Sequence, residues 1–223
     1  MRTVTTAAPP RSAGLGRLGT ELVPSPLSQR MLQHQDAERA FLAARRRFLA
    51  DVRIDMSALA AELGVDRTSL FRWVGNRDAL LAEVLWSLAA PTLDASDTAI
   101  TEAGPDRVAG VLTRFVAALI EAAAFRGFLQ REPTRALRIT TTRSSPVQRR
   151  FVAVTETLLG EELAAGRMRT PLPPHDLAYL LVRVAESFTY ADLIAGEAPS
   201  AERAAAAFAL VLQPTRPPSE GRP

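Results

Sequence analysis

The sequence predicts an all-α fold in two parts, a small N-terminal domain of short helices followed by a larger domain of longer ones. Three observations carry this. Apolar residues recur at helical spacing in nearly every segment after Asp36, and no stretch shows the period of two that marks a strand. Alanine and leucine dominate an apolar fraction of 47%, while aromatic residues make up only 6%. Such a composition favours helices, because alanine loses no side-chain entropy there and leucine little. Finally, glycines, prolines and aspartates fall between the periodic runs, where caps and breaks belong.

Residues 1–33 mix Pro, Gly, Ser, Thr and Arg without a sustained period and are expected to form a disordered basic arm. Such an arm either lies in a DNA minor groove or is a plain solvated extension. The small domain is expected over residues 34–90. Its first helix carries the stripe Phe41, Ala44, Phe48 and Val52, with Arg45, Arg46 and Arg47 turned away from it. Asp55 is a suitable N-cap for a second helix, Met56 to Leu63. Gly64 can end that helix in the left-handed cap position. Asp66 can cap a third helix through Val74, and Gly75-Asn76 breaks the chain again. A fourth helix is expected from Arg77 to about Ala90, with Pro91 marking its end.

Residues 91–213 are expected to form the second domain. After a polar connector, Asp94 to Gly104, Pro105 suits the first turn of a long helix. Its apolar stripe is Val108, Val111, Leu112, Phe115, Leu119 and Ala122, with Arg107, Arg114 and Glu121 on the opposite, outer side. A shorter helix is expected from Phe125 to Ile139, interrupted at Pro133. Further helices run from Pro146 to about Ala165, from Pro173-Pro174 to about Ala195, and from Pro199 to near Gln213. The tail, residues 214–223, is Pro-rich and expected to be flexible.

Composition narrows the function. The net charge is only +3 with a pI of about 10.4, because all 27 basic residues are arginine. Arginine forks suit phosphate and guanine edges, although the absence of lysine also reflects plain coding bias. With no cysteine there is no disulfide, thiolate nucleophile or sulfur-ligated metal. His34 and His175 are the only histidines and form no metal cluster, and no phosphate-cradling loop or nucleophile–base pair is visible. The sequence therefore points to no enzyme and no cofactor. No apolar run approaches the roughly 20 residues of a membrane span, and no signal-peptide core follows the first arginines, so a cytoplasmic location is expected.

Leu59 to Val74 meets the physical requirements of a helix-turn-helix. Ala60 and Ala61 let two helices approach closely, Gly64 permits the turn, and Val65, Leu70 and Val74 bury the second helix. Arg67, Thr68 and Ser69 are left exposed at its N-terminus, the positions such a motif presents to base edges in the major groove. The quoted residues Leu59-Ala60, Leu63-Gly64-Val65, Ser69-Leu70-Phe71-Arg72-Trp73-Val74 and Arg77-Asp78-Ala79-Leu80-Leu81, with Ala43-Ala44-Arg45 and Phe48 before them, resemble the tetracycline-repressor (TetR) family over residues 36 to 90. Within it, Phe71 to Gly75 and Glu83 to Leu88 look most like the QsdR-type subgroup.

That resemblance implies a regulator that binds double-stranded operator DNA as a homodimer and responds to a small apolar effector, with a lactone implied by the subgroup. Repression is the sign of regulation it implies. Position by position, Arg67 and Thr68 would face bases, Ser69, Trp73 and Arg77 would face phosphates, and Arg72 either. Phe71 stands where the family has Tyr, leaving ring contact with sugar or a thymine methyl. Trp73 replaces His, and Asp55 replaces a capping Ser or Thr, which sets a carboxylate near a phosphate. A helical small-molecule-binding or partner-binding module without sequence-specific DNA binding remains the alternative.

In the second domain, the last two helices would pair with those of a second copy. Arg183, Glu186 and Tyr190 fall along one helix face and are candidate polar groups of an effector pocket; an Arg–Glu pair at the dimer edge fits the same spacing. Phe115, Leu119, Phe128 and Phe151 are candidate pocket walls, with Phe125, Leu129 and Phe188 beside them, and the same residues also suit ordinary core. Arg135, Arg138, Arg143, Arg149 and Arg150, with no acid among them, read as a solvated loop or as an anion-attracting face.

Overall fold

The computed structural model describes residues 14–213. The expected flexible tail and residues 1–13 of the expected arm lie outside the described residues. Among those described, thirteen helices and no strand are present.

The remainder of the expected arm is helical. α1 (Leu15–Leu22) and α2 (Pro26–Met31) pack on the helices of both domains. The reason is apolar burial. Leu15 and Leu27 are both buried, and Pro24 and Pro26 act as stop and start signals. Ser25 and Ser28 form a reciprocal capping box, with Pro26 at the first helical position.

α3 (Gln35–Leu49), α4 (Met56–Leu63) and α5 (Arg67–Val74) form a head. On α3 the buried face is Ala37, Ala40, Ala43, Ala44 and Phe48, so small residues let its neighbours approach closely. Phe41 is only half-buried and Val52, beyond the helix end, is exposed, so the expected stripe is rotated by about one residue. α4 and α5 start and stop as expected. Asp55 and Asp66 accept backbone N–H groups of the first turns, and Gly64 sits at φ 70°.

α6 (Arg77–Thr98) runs straight through Pro91, contrary to the expected stop. Trp86 and Ala89 before the proline and Leu93, Ser96 and Asp97 after it are all buried against α1, α10 (Pro146–Ala164) and α7 (Pro105–Glu121). Packing on both sides of Pro91 outweighs the one backbone hydrogen bond lost there. The domain boundary expected near residue 90 thus lies inside one helix. No single helix among the described residues is long and apolar enough to cross a membrane.

The body comprises the rest of α6, α7, α8 (Ala123–Arg131), α9 (Pro133–Thr141), α10, α11 (Pro174–Thr189), α12 (Ala191–Ile194) and α13 (Ala201–Val211). Pro133 opens α9 rather than interrupting a helix. Tyr190 ends α11, so the helix expected to reach Ala195 is two. Arg107, expected on the outer side of α7, is buried. It reaches Asp97 at 2.9 Å, Glu161 at 2.8 Å and Glu162 at 2.6 Å, and these carboxylates compensate its burial. Burial alone would raise the Glu162 carboxyl, but hydrogen bonds from Arg167, Arg107 and the Gly104 amide outweigh it and bring it to about 2.

The head core does not stop at the head. Phe125, Phe128, Leu129 and Tyr190 of the body belong to the same apolar cluster as Phe48, Leu59 and Leu70.

Candidate nucleic-acid interface and adjoining cavity

α5 offers its N-terminal turn outward because Leu70 and Val74 hold its other face in the core with no exposure. Arg67, Thr68 and Arg72 are exposed. The Arg67 guanidinium lies 5.3 Å from the centre of the Phe71 ring, so Phe71 serves as a platform for it. Ser69 is half-buried, and its hydroxyl donates to Asp66 at 2.7 Å. That bond, then the Ser69 amide, holds the Asp66 carboxyl below its ordinary value. Trp73 is half-buried and packs against the head core. The Asp55 carboxylate is taken up by the amides of Ala58 and Ser57 at 2.8 and 2.9 Å, and the Ala58 bond chiefly lowers its pKa.

Arg77 departs from the expected phosphate-facing role. Its Nε donates to the Ile54 carbonyl, and its two terminal nitrogens grip Glu132 at 2.7 and 2.5 Å. The side chain is only 14% exposed, so its donors are taken by Ile54 of the head and Glu132 of the body instead of facing solvent. Glu132 also draws Arg53 and Arg135, while Asp78 accepts Arg135 and Arg138. Asp51, in the left-handed region at φ 59°, pairs with Arg131. An ionic seam thus joins the end of α3 and the start of α6 to α8 and α9. It also corrects the reading of Arg135 to Arg150 as a solvated loop. Arg135 and Arg138 find acids distant in sequence, although Arg138 is itself exposed, Arg150 is fully buried against Glu83, and Arg143 and Arg149 are exposed.

Between head and body lies a cavity of about 310 Å³. Its walls are Leu85, Leu88, Ala89 and Thr92 of α6, Ala118, Leu119 and Ala122 to Phe125 at the α7–α8 corner, Thr140, Val147, Phe151 and Tyr190. Its floor is Phe48 and Leu49, the last turn of α3 in the head. No charged side chain lines it. The polar groups are the hydroxyls of Thr92, Thr140 and Tyr190, and both threonines donate to carbonyls four residues back, at 2.9 Å each. Burial drives the Tyr190 phenol well above its usual pKa, so it stays protonated and able to donate.

Of the expected pocket residues, Leu119, Phe151 and Tyr190 line this cavity. Phe115 stands behind it, its ring 5.1 Å from Phe151, and Phe128 packs edge-on to Phe48 at 5.7 Å. Phe125 is a wall, whereas Leu129 and Phe188 are packing residues. Arg183 and Glu186 lie outside the lining. They pair at 2.6 Å, and Arg183 also reaches the Thr141 carbonyl at 2.9 Å while stacking on exposed Tyr179. Burial pushes the Glu186 carboxyl up to about 7, against the opposing pull of Arg183. Sequence reasoning missed Phe48, Leu49, Thr92 and Thr140. Phe48 was legible as an apolar helix residue, but nothing in its spacing says that a body cavity rests on it.

The comparisons with known proteins agree with this geometry. Residues 103–213 match the family model described as tetracyclin repressor-like, C-terminal domain. The chain is similar to a solved R. erythropolis structure titled transcriptional repressor QsdR from TetR family. The two share 31% identity, with 81% of this chain and 95% of the other covered, at a TM-score of 0.73. No curated protein matches. The helix-turn-helix head, the all-helical body and these two matches together make this chain a member of the TetR family of transcriptional regulators.

Proposed function

We propose that the protein represses transcription as a homodimer bound to operator DNA and is released by a small, uncharged, mainly apolar effector seated in the 310 Å³ cavity. The observation that carries this reading is the cavity floor. Phe48 and Leu49 belong to the head, so a molecule filling the cavity presses directly on the element that carries α5. An ion would lose its hydration there without gaining a counter-charge. A lactone fits the chemistry, since it is neutral, compact and able to accept one hydrogen bond from Tyr190. Exposed Tyr179 and Leu180 on α11 and Leu210 on α13 supply an apolar face for the second copy. Two copies are needed to set recognition helices on half-sites ~34–36 Å apart.

Arg67→Ala tests the DNA side. On a duplex from the gene's own upstream region, fluorescence anisotropy is expected to show salt-sensitive, sequence-selective binding by the wild type. Losing one base-reading arginine weakens that binding by about tenfold or more. Equal, weak binding of wild type to operator and scrambled duplexes would reject operator reading.

The ionic seam supplies the second test. Glu132→Ala removes the shared carboxylate on which Arg77 closes, so the ionic hold between head and body is loosened. The effector's ability to dissociate DNA is expected to fall at least fivefold, while binding of a γ-lactone series to the cavity, followed by calorimetry, changes less. Because coupling is reciprocal, DNA should then also weaken lactone binding less than it does in the wild type. Undiminished release in the variant would show that the seam does not transmit the signal.

A further inference from the structure

The two N-terminal helices touch the body, the connecting helix α6 and the recognition helix α5 at once. On the body side, the Trp86 indole N–H donates to Thr20 at 2.8 Å, and Gly19 lies so close that a Cβ there would stand 2.2 Å from the ring. Trp86 in turn packs edge-on to Phe151, a wall of the cavity, at 5.3 Å. Between the helices, the Val23 carbonyl accepts from Arg150 at 3.0 Å and the Ser25 hydroxyl donates to Glu83 at 2.6 Å. On the head side, one Arg30 nitrogen donates to the carbonyls of Arg72 and Trp73 at 2.9 and 3.2 Å. Those carbonyls belong to the last turn of α5, where a helix leaves its acceptors without internal partners and where a cation is favoured.

We infer that α1–α2 is a strap that positions the recognition helix, with Arg30 as its positioning residue, and that ties this helix to the Trp86–Phe151 wall of the cavity. The strap gives the body a hold on α5 through partners other than those of the ionic seam. Its consequence for DNA binding rests on the function proposed above, but the contacts themselves do not. Arg30 acts here on backbone carbonyls, so it sets where α5 ends and how firmly.

Amide hydrogen exchange in the free, full-length protein tests the strap without DNA or effector. Arg30→Ala is expected to speed exchange at the C-terminal end of α5 and the following turn by about three- to tenfold. Gly19→Val wedges α1 away from a rigid, buried indole and touches nothing in the head. It should speed the same amides, and the double variant should exchange no faster than Arg30→Ala alone, because both changes break one connection. If Gly19→Val melts at too low a temperature to be folded, Trp86→Phe, which removes the bond to Thr20, takes its place.

Unchanged exchange in Arg30→Ala overturns the positioning role, and unchanged exchange in the strap variant overturns the tie to the cavity wall. On DNA, loss of affinity for all duplexes equally, with a salt slope shallower by about one and unaltered exchange, makes Arg30 a phosphate contact and overturns the inference. Should no variant or wild type bind DNA, the proposed function fails while the exchange rates still decide the strap.

Discussion

Arg150→Met is expected to lower the unfolding free energy by about 3–5 kcal/mol. Arg150 is fully buried and grips Glu83 at 3.0 and 2.9 Å, its third donor group is taken by the Val23 carbonyl, and its guanidinium lies 5.5 Å from the centre of the Trp86 ring. Methionine keeps much of the volume but leaves the Glu83 carboxylate, itself 4% exposed, with the Ser25 hydroxyl as its remaining hydrogen-bond donor. An uncompensated buried charge is the larger part of the penalty. The double variant Arg150→Met, Glu83→Leu removes both charges and should recover most of the loss, because a buried pair replaced by apolar groups is often near neutral. Urea unfolding of the three proteins reads this. A single variant within about 1 kcal/mol of wild type would mean that the pair is hydrated in solution.

The second large effect depends on pH. The Glu186 carboxyl is raised from 4.5 to about 7, chiefly by burial. The folded state therefore holds a proton that the unfolded chain releases, and the stabilisation is complete below pH 4.5 and lost as pH rises through about 7. The difference amounts to roughly 3 kcal/mol at most. Other groups titrate as well, so the readable quantity is the comparison with Glu186→Gln. That variant should equal the wild type near pH 4.5 and exceed it increasingly up to about pH 7, with a constant gap above. Urea unfolding across that range measures it, and a gap that does not change with pH would show that Glu186 is ionised throughout.

The recognition helix was legible because its determinants are local. Asp66, Gly64 and the Leu70–Val74 spacing act within one or two turns, so the sequence alone placed α4 and α5 to the residue. The failures share one cause, which is that distant partners decide them. Pro91 looks like a stop until Trp86 and Leu93 are both found buried by neighbours on either side of it. Arg77 looks like a phosphate ligand until Glu132, far along the chain, takes its fork. Arg107 and Arg150 look solvated for the same reason. α1 and α2 escaped notice because their prolines and glycines imitate a linker, while the pairing of Leu15 and Leu27 with the core is a tertiary fact. Of the cavity, Leu119, Phe125, Phe151 and Tyr190 were legible in the sequence, but its floor lay in the other domain.

That floor has a consequence for how such regulators can be recombined. Phe48 and Leu49 end α3 of the head and also close the cavity proposed for the effector. A chimera that keeps this body but borrows another regulator's head would import two foreign side chains into the chamber. Its change in promoter choice would then come with a change in inducer preference. The head is therefore no interchangeable cassette, and a graft that is to leave inducer choice alone has to carry Phe48 and Leu49 across with the body.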